Sequence, residues 1–519
     1  MKKNIFRLIV IATASSLLLT QSCNDKFLQL SPETELSNDN SLHTETELTL
    51  YLNNLYNRYI LGHGSGWADA KVNPNVVGGS HLLASDFMTD NMVRYGNISS
   101  MMDNTFIPPN AGGSVDWTWE NLRSVNYFIK NYRNALPAVN NDATRLNKYI
   151  GEAYFFKSMD YYRKLMLFGD VPWLSSDLNI NSEELYKPRD KRTVVADSLM
   201  KTIDLAVAGL EGITGRPDGR INQDMALFLK ARIGLFEGSF RTYHNELSLQ
   251  STAKPFLEAA VNACEKIIAS GRYQLYATGE TPYWKLFTFK KDPNSDGNKE
   301  AILARVYDGT VVGHATQRYW DQNNSISGGR PAGGATRGLI DEYLCIDGKP
   351  IYTSGSAGSY TANPLFKGYD GLWSELENRD PRLKQTINYP GENRSLFNRT
   401  DGTTSLEKNG ITYPRLSYNV SGGTTVTGYL PIKHWMGDRT ENEATTNGQQ
   451  TAIEFRYGEV LLMLAEAKAI LGTLTQNDLD RTINLLRQRA GFDFAKYPSS
   501  KLELGNLPAD PRLDEIYAA

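Results

Sequence analysis

A pair of amphipathic helices near the C-terminus constrains the fold of this chain more than any other stretch. The sequence from Ile453 to Phe492 has apolar residues at helical spacing in two runs, with Gly472 between them. Glycine suits the left-handed end of a helix, and Thr475 to Asp478 have the pattern of a capping box that starts a second helix. Neither helix can bury its apolar stripe alone, so the sequence predicts a tetratricopeptide-like hairpin docked on other helices. The apolar positions of the two runs are Tyr457, Val460, Leu461, Leu464, Ala465, Leu471, then Leu479, Ile483, Leu486 and Ala490.

Similar helical periods recur in the first half of the chain. The predicted helices span residues 44–60, 117–136, 144–168, 193–210, 222–240 and 255–270. Residues 273–457 instead are rich in Gly, Asn, Thr and Tyr, a composition typical of short strands and long loops. The predicted fold is therefore mainly α: unevenly spaced tetratricopeptide-like helical hairpins form a scaffold, and a loop-rich, short-strand region is inserted into it.

The N-terminus has the pattern of an export signal. Lys2, Lys3 and Arg7 precede an apolar run from residue 8 to 19, which is shorter than the ~18 residues that span a bilayer. Small or polar residues then lead directly to Cys23, a pattern that resembles a bacterial lipobox, in which the cysteine is acylated. We expect a lipid anchor at Cys23. The alternative is an ordinary secretory signal with an incidental cysteine.

Charge and cysteine content exclude some classes of function. Residues 1–22 contain three basic and no acidic residues, so their removal changes the net charge from −3 to −6. A mildly acidic chain with scattered basic residues is a poor candidate for nucleic-acid binding. Cys264 lies on an apolar helical stripe and is predicted to be a buried thiol, although a disulfide with Cys345 stays open.

No catalytic motif is evident in the sequence. The chain lacks HExxH, CxxC, P-loop and GxSxG patterns, and its six histidines are dispersed. Asp86 and Asp90 could form a carboxylate pair, but turn or cap roles are favoured for them. We therefore expect no catalysis, no cofactor and no metal.

Two stretches resemble the SusD/RagB family of outer-membrane nutrient-binding lipoproteins. The C-terminal hairpin contains RY-x-EVLLM-x-AEA followed by IN-x-x-R-x-RAGF. The run GEAYFFKSMDYYRKLMLFGDVPW resembles a second family segment, from which Lys157 and Phe168 depart. Further landmarks in family order are Phe27-Leu28 with Pro32, Trp119, Asn126, Trp284, Glu300, Leu339, Asp347-Gly348 and Asn378 to Arg382.

The resemblance implies a cell-surface protein of the outer membrane that captures oligosaccharides or other nutrients. Its implied partner is a SusC-like TonB-dependent transporter, and the lipid anchor would hold it on the membrane. Two other functions stay open: a surface-anchored glycoside hydrolase, and a tetratricopeptide-like scaffold that binds only protein.

Candidate glycan-binding residues lie in two aromatic loop regions. An aromatic ring covers the apolar face of a sugar, while Asn, Asp or Arg bonds its hydroxyl groups. The first loop region, residues 67–95, contains Trp67, Asn91, Arg94 and Tyr95, and the second, residues 318–330, contains Trp320, Asp321 and Arg330. The resemblance implies glycan contacts in roughly these two regions. Trp117, Trp119, Trp173 and Trp284 fall on family packing landmarks and are assigned to structure.

The expected organisation has five parts. Residues 1–22 are a lipoprotein signal peptide, 23–40 a flexible tether, 41–272 the helical hairpin region and 273–450 the loop-rich region. The C-terminal hairpin occupies 451–519, and we expect it to be truncated, because 513–517 reads as the first turn of a further helix.

Overall fold

The structure is a computed structural model, and the part of the chain that it describes is mostly helical. It describes residues 41–63, 86, 89–94, 105, 117–215, 219–290, 297–314, 333–354, 359–371, 373–389, 405–408, 411–414, 425–434, 436, 441 and 447–506. The predicted signal peptide, the tether and Cys23 lie outside these residues. No helix within these ranges combines the length and the apolarity that a membrane crossing requires.

The predicted helices are present with shifted ends. The helices are α1 Glu45–Tyr59, α2 Glu120–Asn131, α3 Asn147–Phe168, α4 Arg192–Gly209, α5 Gln223–Tyr243, α6 Lys254–Ala269, α7 Pro282–Lys285, α8 Arg337–Glu342, α9 Leu383–Thr386, α10 Tyr457–Ile470, α11 Gln476–Arg481 and α12 Ile483–Ala490. Around α2 and α3 the predictions were too long, because residues 132–135 and 143–146 form 3-10 turns instead. Such turns are common where an α-helix ends.

Short two-stranded ladders account for the described strands, as expected for a loop-rich insertion. The strands are β1 Met92–Arg94, β2 Ala301–Arg305, β3 Gly333–Ala335, β4 Tyr352–Ser354, β5 Tyr360–Ala362, β6 Ser405–Lys408, β7 Ile411–Pro414 and β8 Ala452–Arg456. The antiparallel pairs are β1 with β3, β2 with β8, β4 with β5 and β6 with β7. The predicted fold class, a mainly helical scaffold with an inserted loop-rich region, is confirmed.

Neighbouring helices pack side by side from α2 to α6, and α10 returns to pack on α5 and α6. The helices α3 and α4 approach closely, since a Cβ atom on Gly209 would lie 2.9 Å from the Cα of Gly151. No larger residue fits at this crossing without moving the backbone. The main core runs through these helices and includes Phe228, whose ring stacks on Phe455 of β8 at 4.3 Å between centroids.

Buried carboxylates tie the helical layer together through ion pairs. Glu152 in α3 is fully buried and binds Arg220 at 2.6 Å, while the hydroxyl of Tyr56 in α1 donates to the same carboxylate at 2.8 Å. Glu237 in α5 binds both Arg192 and Arg241 at 2.8 Å. A buried charge is tolerated when it is paired and hydrogen-bonded in this way.

The C-terminal hairpin differs in two respects from its sequence prediction. Its first residues, Ala452–Arg456, form a strand rather than the start of a helix, because they pair with β2. Its second helix is interrupted at Thr482, whose φ of −123° and ψ of −90° are not helical and whose hydroxyl donates to the carbonyl of Asp478. Thr and Ser side chains that bond to the backbone compete with helical bonding in this way.

Other details of the hairpin are as predicted. Gly472 has a φ of +68°, and Thr475 and Asp478 form a capping box. The apolar face of α10 is buried, whereas Ile483 and Leu486 in α12 are only half-buried. The hairpin therefore docks chiefly through α10.

Both described cysteines are free and buried. The predicted buried position of Cys264 is confirmed, and the open alternative of a disulfide between Cys264 and Cys345 is not realised.

Candidate functional site

The β1–β3 ladder pairs the end of the first predicted loop region with a strand that follows the second one in the sequence. Arg94 in β1 is opposite Gly333 in β3. Gly333 comes three positions after Arg330 in the sequence. The ladder continues as Thr336 donates its backbone N–H to the carbonyl of Asn91 at 2.9 Å. Residues 92–94, at the end of the first loop region, thus lie against β3, the strand that follows the second loop region in the sequence.

Gly334 allows a third segment to cover this ladder closely. A Cβ atom at Gly334 would lie 2.1 Å from the hydroxyl oxygen of Thr427 and 2.6 Å from that of Thr425. The neighbouring Ala335 donates its N–H to the carbonyl of Tyr429 at 2.9 Å. Segment 425–429 therefore packs directly on β3 and fixes its position.

The backbones of Asp86 and Asp90 hold the turn that precedes β1. The carbonyl of Asp86 accepts the hydroxyl of Thr89 at 2.9 Å, and the carbonyl of Asp90 accepts the hydroxyl of Thr336 at 2.5 Å. Burial raises the pKa of Asp86, while Lys433 and a hydrogen bond with the Asn91 side chain act against this rise. The Asn91 side chain consequently positions Asp86, a contact that the sequence did not predict.

The other predicted ligand-binding residues stay predictions. Trp67, Tyr95, Trp320, Asp321 and Arg330 lie outside the described residues, and Arg94 is described only in its backbone. Of the seven candidates, Asn91 and the backbone of Arg94 are thus placed, and both lie at the β1–β3 ladder.

The tryptophans assigned to structure are half-buried, and each makes an aromatic contact or a hydrogen bond with another part of the fold. Trp117 makes edge contacts with Trp119 at 5.4 Å and with Phe168 at 4.8 Å, between ring centroids. Trp173 stacks on Tyr161 at 4.0 Å, and the indole N–H of Trp284 donates to the carbonyl of residue 432 at 3.1 Å.

Several residues that carry the family motifs converge on one buried carboxylate. Glu300 is fully buried and binds Arg456 at 3.2 Å through one oxygen and Arg489 at 2.7 Å through the other. Its own carbonyl accepts the N–H of Tyr457 at 2.8 Å. The start and the close of the C-terminal hairpin are therefore both joined to the strand β2, and these motif residues have a structural role.

A cavity beside the first turn of α2 was not predicted from the sequence. It has a volume of about 320 Å³, and its walls are mostly apolar. The lining includes Trp119, Leu122, Leu174 and Leu185, and Ile180 at 86% exposure lies at its edge. Its walls come from α2 and from the segment after α3, so no local sequence pattern reveals it. Apolar walls suit aliphatic groups better than sugar hydroxyls.

The described residues contain no group of three His, Cys, Asp or Glu side chains that could hold a metal ion.

A family model and solved structures agree with this architecture. Residues 299–503 match the model of the SusD family. A SusD-like carbohydrate-binding protein from Bacteroides fragilis has a TM-score of 0.65 at 20% identity, covering 92% of this chain and 83% of that one. A second SusD-like protein from Bacteroides fragilis has a TM-score of 0.63 at 20% identity, covering 94% and 85%. A laminarin-binding SusD-like protein has a TM-score of 0.52 at 18% identity, covering 86% and 85%. No curated protein matches the sequence.

The fold defines a class of helix-rich proteins in which paired helices carry a loop-rich insertion, and these solved structures share it. Over residues 299–503 the family match confirms the resemblance to the SusD/RagB family that the sequence motifs indicate, and the structural similarity shows the same fold over most of the chain.

Proposed function

We propose that the protein is a nutrient-binding lipoprotein of the cell surface that binds oligosaccharides and passes them to a SusC-like TonB-dependent transporter. The observation that supports this proposal is the β1–β3 ladder, in which Met92–Arg94 of the first loop region pairs with the strand that follows the second loop region in the sequence. Capture needs no bond to be broken, so the protein would act by binding alone.

The chemistry of the two loop regions suits sugars. Trp67, Tyr95 and Trp320 would supply flat apolar faces, and Asn91, Arg94, Asp321 and Arg330 would bond hydroxyl groups. Rigid aromatic rings lose little conformational entropy on binding, which favours them for weakly apolar ligands. Two of the similar structures are named as carbohydrate-binding and laminarin-binding proteins, which supports a sugar as the ligand class.

A binding experiment on a glycan array, followed by calorimetry with the retained oligosaccharide, tests this function. We expect Trp320→Ala to weaken binding by about 1–3 kcal/mol, or roughly 5- to 150-fold, because a stacking face is removed. Tyr186→Ala is a matched control, since Tyr186 is an exposed aromatic residue (84%) outside both loop regions. An unchanged isotherm for Trp320→Ala would remove this residue from the site.

The same purified protein separates the other two functions. Release of shorter sugars from a bound oligosaccharide would indicate a glycoside hydrolase. A complete lack of glycan retention would favour a scaffold that binds only protein.

Membrane attachment is proposed through acylation of Cys23, after removal of residues 1–22, with residues 23–40 as the tether. Residues 41–272 and 451–519 would form the helical scaffold, and 273–450 the loop-rich region. We expect Cys23→Ala to move the protein from the membrane to the soluble fraction, because each acyl CH₂ contributes ~0.8 kcal/mol to anchoring. Continued sedimentation of this variant with membranes would contradict the lipid anchor.

Docking on the transporter is proposed for the helical layer, because paired helices present grooves that suit protein partners. Affinity purification of the tagged protein from outer membranes should recover a TonB-dependent transporter. The Trp320→Ala variant should recover it equally well, since this residue lies in the proposed sugar site. Purification without any transporter would contradict the partnership.

A further inference from the structure

Three of the six histidines of the chain meet in one buried cluster. His63 and His314 are fully buried and His434 is 8% exposed. The ring centroid of His63 lies 4.8 Å from that of His314 and 5.8 Å from that of His434. Tyr307 packs against His314 at 4.5 Å, and Phe287 packs against His434 at 4.9 Å. Imidazole rings pack like other aromatic rings, and unlike Phe they can also bind a proton near neutral pH.

The backbone around the histidines is joined by hydrogen bonds between distant parts of the chain. The N–H of His63 donates to the Tyr307 hydroxyl at 2.8 Å. His314 forms a two-way backbone bridge with Gly448, at 3.3 and 2.9 Å. The His314 Nε2 atom lies 2.9 Å from the carbonyl oxygen of Gln450, and this oxygen can only accept, so Nε2 carries the proton. The Gln450 amide donates in turn to the carbonyl of His434 at 2.5 Å.

These contacts gather four described segments at one point: residues 61–63, 312–314, 433–434 and 447–450. Two of them directly precede the predicted loop regions, because Trp67 follows His63 by four positions and Trp320 follows His314 by six. The cluster therefore lies where the described chain leads into both loop regions.

We propose that the three histidines form a proton-sensitive clasp, which holds these four segments together while the rings are neutral and releases them as the pH falls below about 6. The opening is local, because the helical core is held by separate contacts.

The cations bordering the cluster favour neutral rings. Arg305 in β2 donates to the carbonyls of residues 60 and 61 at 2.8 and 3.0 Å, so its cation lies beside the first segment. Lys433 adjoins His434 in sequence, and burial together with this cation lowers the pKa of His434 to about 3. A proton added to one ring also repels a proton on the next, since the rings are only about 5 Å apart.

Two carboxylates also border the four segments. Glu441 accepts the N–H of Gln449 at 2.8 Å and pairs with Lys290 at 3.5 Å. Glu454 in β8 accepts the N–H of Gly62 at 2.6 Å, and burial raises its pKa. The folded state therefore binds the Glu454 proton more readily than an unfolded chain does, so acid stabilises the folded state at this residue, although the Gly62 hydrogen bond itself favours the ionised carboxylate. Between pH 7 and pH 5 we assign acid-induced opening to the histidines, because the effect of Glu454 has the opposite sign and hydrogen bonds from the N–H groups of residues 310–312 hold the pKa of Asp308 below its usual range.

The size of the effect follows from linkage. The pKa of a histidine in an open chain is about 6.5. A ring that is held neutral in the closed state therefore stabilises that state fully above about pH 6.5, and this contribution is lost as the pH falls below about 6.5. For one such ring, the equilibrium constant for opening rises about 25-fold between pH 7 and pH 5.

Hydrogen exchange tests the clasp. It is measured on the full-length protein at pH 7 and pH 5, and the rates are corrected for intrinsic exchange at each pH. We expect opening of segments 61–63, 312–314 and 447–450 to increase at least 25-fold at pH 5, while α3 and α5 keep their protection. In His434→Gln, the ratio of the opening constant at pH 5 to that at pH 7 should be about 25-fold smaller than in the unaltered protein. The matched control is His244→Gln, which replaces an exposed histidine (47%) and should retain the full ratio.

Equal opening at the two pH values in the unaltered protein would overturn the proposal, as would an unchanged ratio in His434→Gln. If that variant does not fold, histidine NMR signals of the unaltered protein give the answer. The three clustered rings should show no titration between pH 7 and 6, and titration of these rings near pH 6.5 in the closed protein would overturn the clasp.

Glycan affinity should also fall at pH 5, a consequence that rests on the proposed function. If no glycan binds at pH 7, the proposed function fails, while the exchange result still decides the clasp. If glycan binds equally at both pH values although the segments open, the clasp stands and its coupling to the ligand is excluded.

Discussion

Two buried polar residues, Asn126 and Lys157, do not follow from the apolar helical period, and the structure explains both. Asn126 was noted as a polar residue among aromatics, and Lys157 as a departure from the family pattern. The structure joins them, because the Lys157 ammonium donates to the Asn126 amide oxygen at 2.8 Å. The Asn126 amide group then donates to the carbonyls of residues 174 and 176. Burial lowers the pKa of Lys157 to about 8. The pair fixes the segment that follows α3.

At the same scale, Gly334→Ala should destabilise the ladder between the two loop regions. A Cβ atom there would overlap Thr427 and Thr425, so segment 425–429 must move, at a cost of about 1–3 kcal/mol. Urea unfolding measures this loss in the free energy of unfolding.

Gly338→Ala is the matched control for this prediction. A Cβ atom at Gly338 would meet only the Thr336 hydroxyl, at 3.7 Å, and alanine favours the helix by up to about 1 kcal/mol. Equal stability of the two variants would show that segment 425–429 does not pack tightly on β3.

Among the elements, the C-terminal hairpin shows where sequence reasoning succeeds and where it stops. Its turn and cap were predictable, because Gly472 and Thr475 act through local backbone chemistry. The strand at Ala452–Arg456 was not predictable, because its partner β2 lies about 150 residues earlier in the chain. The histidine cluster escaped detection for the same reason, as its members are separated by more than a hundred residues each. Local patterns predict elements, and distant pairing decides which of them become strands or sites.

The start of α11 should depend on the ionisation of Asp478. Although burial opposes ionisation, hydrogen bonds from Lys468, Arg481 and Thr475 hold the pKa of Asp478 below its usual range. Its contribution to stability is therefore full above about pH 4 and declines as the pH falls toward the folded-state pKa. We expect Asp478→Asn to cost about 1–3 kcal/mol at pH 7 and less at pH 3, measured by urea unfolding.

Asp370→Asn is the control for the hairpin variant, because Asp370 is an exposed carboxylate outside the hairpin. Its cost should stay below about 0.5 kcal/mol at either pH. A penalty for Asp478→Asn that is the same at pH 7 and pH 3 would contradict the assigned role.

Over the whole molecule, one core links parts of the chain that the sequence divided into separate regions. The main cluster includes Leu48 of α1, Phe228 of α5, Leu303 of β2 and Leu461 of α10. It therefore crosses the proposed boundaries at 272/273 and 450/451. Stability of the fold is shared by the helical scaffold and the first strands of the insertion.

The reactivity of the two buried thiols tests whether the folded protein protects both cysteines from solvent. Burial raises the pKa of Cys264 and raises that of Cys345 to about 11. We expect neither thiol to react with iodoacetamide at pH 8 in the folded protein, and both to react after denaturation, because reaction requires an accessible thiolate. Mass spectrometry counts the labels.

The melting temperature should be the same with and without dithiothreitol, since both cysteines are free. Cys264→Ala should remove one label from the denatured protein without affecting the other. A melting temperature that falls on reduction would show that the two cysteines form a disulfide.

The stacking of Phe228 against Phe455 has a consequence for biogenesis. These rings lie 4.3 Å apart although more than two hundred residues separate them, and Phe155 approaches the same ring at 6.4 Å. A polypeptide that is synthesised from its N-terminal end presents Phe155 and Phe228 long before Phe455 emerges. Closing so large a loop is slow, and the nascent chain exposes an incomplete apolar surface in the meantime. Holding chaperones would have their greatest effect in this interval, before Phe455 has been synthesised.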